Sequence, residues 1–181
     1  MKTLFKLLTA LFLLSMVLIG CDDDEKNETL ENYLKVGNTT PELAGGQLVV
    51  YEIDPQKYGF DLKLFTKGFS FKKDEEGEED WVGDGYRLDF EAISSTNSLN
   101  GEFTFSKEQI ANTFSDGGFA KFNSTNGADE KNRKEITSGI IKVTKTNTTY
   151  IIEIKCEVEN NGVKEPMTGY FSGTLNTINE D

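Results

Sequence analysis

The chain of 181 residues contains no histidine and only two cysteines. Without histidine there can be no Ser-His-Asp or Cys-His nucleophile, no His-ligated zinc and no imidazole general base. Chemistry by paired carboxylates is what that absence leaves open. Basic side chains are also few, 19 against 31 acidic ones. An anionic surface of this kind repels phosphate backbones and acidic headgroups, so nucleic acid is excluded as a partner. No glycine-rich phosphate loop is present, because Gly83-Asp84-Gly85 lacks a third glycine and a following helix. A long helical period and an internal repeat are missing as well.

What is there begins with an apolar leader. Lys2 and Lys6 precede Leu7 to Ile19, a stretch interrupted only by Thr9 and Ser15. It falls short of the roughly 20 apolar residues that a spanning helix needs. Basic start, apolar middle and small-residue exit are the marks of a removable signal segment, and an uncleaved anchor is the alternative. The segment ends in Leu18-Ile19-Gly20-Cys21, followed by Asp22-Asp23-Asp24-Glu25. This end resembles the lipobox of bacterial lipoproteins. The resemblance implies cleavage before Cys21, acylation of its thiol in the manner of a palmitoylation, and anchoring to a bilayer by lipid. Two or more acyl chains hold stably where one holds marginally. The acidic run resembles the surface-export signal of Bacteroidota lipoproteins, which implies the outer membrane with the domain facing the cell exterior. A periplasm-facing position is the alternative, and enterobacterial-type sorting would instead retain an Asp-following lipoprotein at the inner membrane.

The expected organisation is a signal peptide over 1–20, a lipidated acidic tether over 21–32 and one extracytoplasmic domain over 33–181. Removal of the first 20 residues leaves 161, enough for one cored domain. It also takes two lysines, leaving 17 basic against 31 acidic residues, a net charge of −14. With Cys21 committed to lipid, Cys156 has no partner for an intrachain disulfide. The alternation of Ile152, Ile154, Cys156 and Val158 puts its thiol on an apolar face, where it reads as structural.

The periodicity is that of strands. Gln47 to Ile53 is entered through Gly45-Gly46, and Phe60 to Leu64 alternates. Tyr86, Leu88, Phe90 and Ala92 share a face opposite Arg87, Asp89 and Glu91. Asn100-Gly101 leads into Glu102 to Phe105. Gly139 to Lys145, Tyr150 to Val158 and Met167 to Leu175 read as three consecutive antiparallel strands, turning around Asn147 and at Asn161-Gly162. Gly169 and Gly173 suggest a bulge or the close approach of a neighbour. Ser106-Lys107-Glu108-Gln109 fits a capping box for one short connective helix. The fold class is therefore all-β, a single antiparallel sandwich, with a closed calycin-like barrel as the alternative. The leader and the final third together resemble uncharacterised Bacteroidota surface lipoproteins, which implies a β-rich fold and supplies no catalytic residues.

Two candidate sites emerge. Asp74-Glu75-Glu76-Gly77-Glu78-Glu79-Asp80 offers hard oxygen ligands on one loop, so Asp74, Glu76, Glu78 and Asp80 are calcium candidates, though without EF-hand spacing. The other reading of this run is a solvated hairpin tip. Trp81 and Tyr86, with Tyr58, Phe119 and Phe122 nearby, form an aromatic candidate for stacking sugar rings beside carboxylates. Asp89 and Glu91 share a strand face, but it is the polar one, and with 31 acidic residues some carboxylate pair is always at hand, so no catalytic pair is singled out. The expectation is a non-enzymatic, lipid-anchored binding module for a glycan or small ligand. An assembly subunit meeting a surface protein partner is the alternative, and a carboxylate-dependent hydrolase a distant third. No cofactor is expected, apart from calcium if the acidic loop takes it.

Overall fold

The computed structural model describes residues 31–73, 79–123, 127–128 and 132–180. The strands are β1 (Tyr33–Val36), β2 (Leu43–Asp54), β3 (Lys57–Thr66), β4 (Phe69–Lys73), β5 (Glu79–Gly83), β6 (Gly85–Ser94) and β7 (Gly101–Phe105). They continue with β8 (Thr113–Asn123), β9 (Gly127–Ala128), β10 (Lys134–Thr146), β11 (Thr149–Asn160), β12 (Val163–Gly173) and β13 (Asn176–Asn179). Among the described residues there is no α-helix, and the all-β reading holds.

Eleven strands belong to one continuous sheet, in the order β1-β12-β11-β10-β7-β8-β6-β3-β2-β13 with β9 added to β8; β4 and β5 form a separate hairpin. The ends of the large sheet meet. β1 pairs β12 on one side, and on the other it folds back on the start of β2. That return is held by the reciprocal Val36–Thr39 bonds and by Leu34 N–H donating to the Pro41 carbonyl at 3.0 Å. The Asn32 side-chain amide extends the seam, donating to the Ser172 carbonyl and accepting from its N–H at 2.7 Å. A sandwich would place these strands in two separate facing sheets. The hydrogen-bonded path instead runs round a ring, the arrangement of the barrel alternative. A curled sheet that returns to its own first strand also leaves fewer bare edges. β13 covers the rest of the β2 edge as a parallel strand.

Alternation decides which side faces in. Tyr150, Ile152, Ile154, Cys156 and Val158 are buried along β11, and Leu88, Phe90 and Ala92 along β6. In register with β6, Phe60, Leu62 and Leu64 of β3 complete inward-facing layers. Phe60, Phe103, Phe114 and Phe171 are fully buried among these aliphatics, so the interior is packed with side chains. Each such side chain contributes about 1.5–3 kcal/mol by leaving water. Gly169 accommodates the close approach of β1, since a Cβ there would lie 3.0 Å from Leu34 Cδ1.

The turns follow local chemistry. Asn161-Gly162 links β11 to β12 with φ of 52° and 80°, as a two-residue hairpin requires, and Asn147 turns β10 into β11 at φ 55°. Gly45-Gly46 is not an entry turn: it lies inside β2, next to a bulge between Leu43 and Gly45. The segment after β7 is not the expected helix. Ser106 Oγ does accept the Glu108 N–H at 3.0 Å, but only seven residues separate β7 from β8 and they form a turn.

Candidate functional site

The sheet is interrupted at one place that three strands share. β10 meets β8 only at Lys134 and Glu135, opposite Phe119 and Gly118. Beyond that β10 bulges between Ile136 and Ser138, and β7 enters the gap, antiparallel to β10 and parallel to β8. β8 bulges too. Opposite β6, Asp89 pairs Gly118 and Glu91 pairs Ser115, so β8 spends one extra residue, with Asp116 at φ 44°. Bulges re-aim side chains and open ladders, and they recur beside binding and active sites. Here they open a fork, on whose wall lies a cavity of about 670 Å³. Phe105, Gln109, Ser115, Asp116, Glu135 and Thr137 are among the residues around it.

Two glycines allow the strands to come this close. A Cβ at Gly117 would lie 2.6 Å from Ile136 Cδ1, and one at Gly118 would lie 2.7 Å from the Arg133 guanidinium. Through the space at Gly118, Arg133 reaches Asp89 with two parallel bonds of 3.0 Å, Nη1 to Oδ1 and Nη2 to Oδ2. Its Nε donates to Glu135 at 2.8 Å, and its carbonyl accepts from Asn160 Nδ2 at 2.8 Å. The fork-shaped guanidinium suits this bidentate grip, which ties the entry of β10 to β6 across β8. Arg87 stands 3.8 Å from the same carboxylate.

The deciding group is Ser115. It is 6% exposed, and its Oγ is buried with no hydrogen-bond partner among the described residues. A buried hydroxyl left unbonded costs about 1–3 kcal/mol, so it is a rare feature that calls for a reason. Ser115 also completes a row on the outer face: Asp61 of β3 is directly opposite Glu91 of β6, which is directly opposite Ser115 of β8. Tyr51 Oη donates to Glu91 Oε1 at 2.6 Å. Burial, the bond to Glu91 and nearby carboxylates push the Tyr51 phenol above its usual range. Burial first, then the facing Glu91, likewise raises Asp61.

The residues singled out from the sequence fall elsewhere or are tied up. Tyr86 is half-buried and stacks on Phe119 at 4.9 Å and 6°, so these two rings pack against each other and the core. Phe122 lies under the Arg87 guanidinium at 4.1 Å, and Tyr58 packs on the core. Trp81 and Asp80 belong to β5, opposite Phe71 and Lys72, but their side chains lie outside the described residues. Asp74, Glu76 and Glu78 lie outside them entirely, as does Cys21. Asp89 and Glu91 do share the polar face, where Arg133 holds the first and Tyr51 the second. The Cys156 thiol is buried and pushed up to about 12 by desolvation.

Comparison with known proteins adds no relative. No family model, curated protein or solved structure matches this chain.

Sequence reading passed over Ser115 and Arg133. Ser115-Asp116-Gly117-Gly118 reads as a turn, and Arg133 sits in a short basic run. The signal that could have found them is the Asp-Gly-Gly interruption inside an otherwise apolar strand, which marks a bulge.

Proposed function

We propose that the protein is a lipid-anchored surface lipoprotein that acts without catalysis, as a binding module for a small hydroxyl-rich ligand, a glycan in the first instance. Acyl chains on Cys21 hold it at the outer membrane, facing the cell exterior, and the acidic tether carries the domain clear of the bilayer. The ligand seats in the fork between β8 and β10. The observation that carries this reading is the cavity of about 670 Å³ at the fork, with Ser115, whose hydroxyl is buried and unbonded among the described residues, on its lining. That volume lies in the range of small-ligand sites, and a few polar groups beside an aromatic edge are what such sites use for orientation. Gln109 and Thr137 add donors and acceptors, Asp116 and Glu135 add acceptors, and Phe105 supplies the ring. The packed interior supports an outer-wall site over a ligand enclosed within the ring.

Titration of the protein with neutral oligosaccharides, followed by calorimetry, tests the reading. Binding is expected, and Ser115→Ala weakens it. An affinity untouched by that substitution would move the site elsewhere. For the anchor, Cys21→Ala is expected to abolish acyl labelling and release the protein from the membrane fraction, whereas retention would refute lipid anchoring.

A further inference from the structure

The fork leaves main chain without a ladder on both of its sides. Along the edge of β10 that faces β7 and β8, Lys134 and Glu135 pair with β8 and Ile140 to Val143 pair with β7, but residues 136–139 have no ladder partner. Along the facing edge of β8, Thr113 and Phe114 pair with β7 and Gly118 and Phe119 with β10, but residues 115–117 have none. β7 points into this opening and stops at Phe105; there the chain turns off, with the Ser106 N–H donating to the Phe114 carbonyl at 2.9 Å. The opening is two strand spacings wide at β7, roughly 10 Å, and narrows to one, roughly 5 Å, where β10 meets β8. Resting on the reading proposed above, we infer that the ligand is an N-acetylated amino sugar, whose acetamido group enters the fork in place of the peptide unit that β7 does not supply.

Main-chain N–H and C=O groups are strong hydrogen-bonding groups, and an edge without a ladder presents both. A trans secondary amide is planar, with its N–H and C=O pointing to opposite sides, so it can bond one strand edge with each. A sugar hydroxyl carries donor and acceptor on one atom and cannot span the two edges in this way. The shape of the opening sets the size of the group. β7 closes one end, the Glu135–Gly118 pairing closes the other, and Phe103 and Phe114 fill the interior behind. An extended peptide has no path through, whereas a short group can enter from the outer face. Phe105 and Ile136 border the cavity and offer apolar surface to the acetyl methyl. Ser115 borders it too, and its hydroxyl, unbonded among the described residues, can turn to meet a ring hydroxyl of the same sugar. The acetamido group is neutral, which suits a chain with 31 acidic against 19 basic residues better than a carboxylate-bearing sugar does.

The test is calorimetric titration of the protein with two neutral β-1,4-linked tetrasaccharides that differ only at C2, one of N-acetylglucosamine and one of glucose. Amide hydrogen exchange is measured at matched occupancy of each. The acetylated sugar is expected to bind at least about 10-fold more tightly. It should also slow exchange at residues 115–117 and 136–138, where the glucose sugar leaves the rates less changed. Equal affinities for the two sugars would overturn the acetamido inference and leave the fork reading standing. A preference for the acetylated sugar with no slowing at those amides would overturn it too, by placing the acetyl group elsewhere. Failure of both sugars to bind would overturn the glycan reading itself, and binding of a blocked dipeptide in their stead would give the opening to a peptide.

Discussion

Replacing Ser115 by alanine should make the protein more stable and a poorer binder. The hydroxyl is buried, 6% of the residue being exposed, and its Oγ has no partner among the described residues. Desolvation of such a group costs about 1–3 kcal/mol. The substitution removes that cost and forfeits only the contacts of one oxygen atom, so a net gain of about 0.5–1.5 kcal/mol is expected. For a domain of this size each kcal/mol moves Tm by about 2–4 °C, giving a rise of about 1–6 °C. Turned about χ1 towards the cavity that Ser115 lines, the same hydroxyl would complete its hydrogen bond on a ligand. Its loss should cost about 0.5–1.5 kcal/mol of affinity, or about 2- to 12-fold in Kd. Urea denaturation and calorimetric titration on the same preparations read the two effects together. If the alanine variant is destabilised by about 1 kcal/mol or more, the hydroxyl has a structural partner and the reasoning fails.

Three further outcomes are expected. The Arg133–Asp89 pair, at 14% and 20% side-chain exposure, lies between surface and buried ion pairs, so a double-mutant cycle of Arg133→Met and Asp89→Asn should give a coupling of about 1–3 kcal/mol in urea unfolding. A coupling near zero would show that the pair does not hold the fork. Asp61 binds its proton more tightly in the folded state, so its ionisation opposes folding above the folded-state value, and the penalty is relieved as pH falls through that value towards the ordinary 3.8. Asp61→Asn should therefore be more stable than the parent at pH 7, with the difference shrinking in acid; a constant difference across the denaturation series would refute the assignment. Cys156, with its thiol pushed up to about 12, should stay unreactive to a thiol-specific reagent at neutral pH until the protein unfolds, and prompt labelling of the native protein would contradict its burial.

Much of the barrel was legible from local pattern, because strand alternation and turn chemistry are written in neighbouring residues. Tyr150 to Val158 shows its inward face directly, and Asn161-Gly162 names its own hairpin. The short helix failed for a local reason of another kind. The Ser106 box is present, but the chain must re-enter the sheet at Thr113, leaving no length for a helix to repay its nucleation. The choice between sandwich and ring depended on a seam that no local pattern announces: Asn32, whose side chain takes the place of a strand residue opposite Ser172. The fork was hidden for the same reason. Asp61, Glu91 and Ser115 are far apart in sequence, and only register across three strands places them in one row. Arg133 becomes informative only once Gly118 has made room for it opposite Asp89.

The most direct test of the fork as a binding site is amide chemical-shift mapping of the protein during titration with a neutral oligosaccharide that binds it. The account predicts that the perturbed residues cluster at Gln109, at Ser115 to Gly117 and at Glu135 to Thr137. Perturbations confined to the β4–β5 hairpin around Trp81, or no perturbation at saturating sugar, would contradict it.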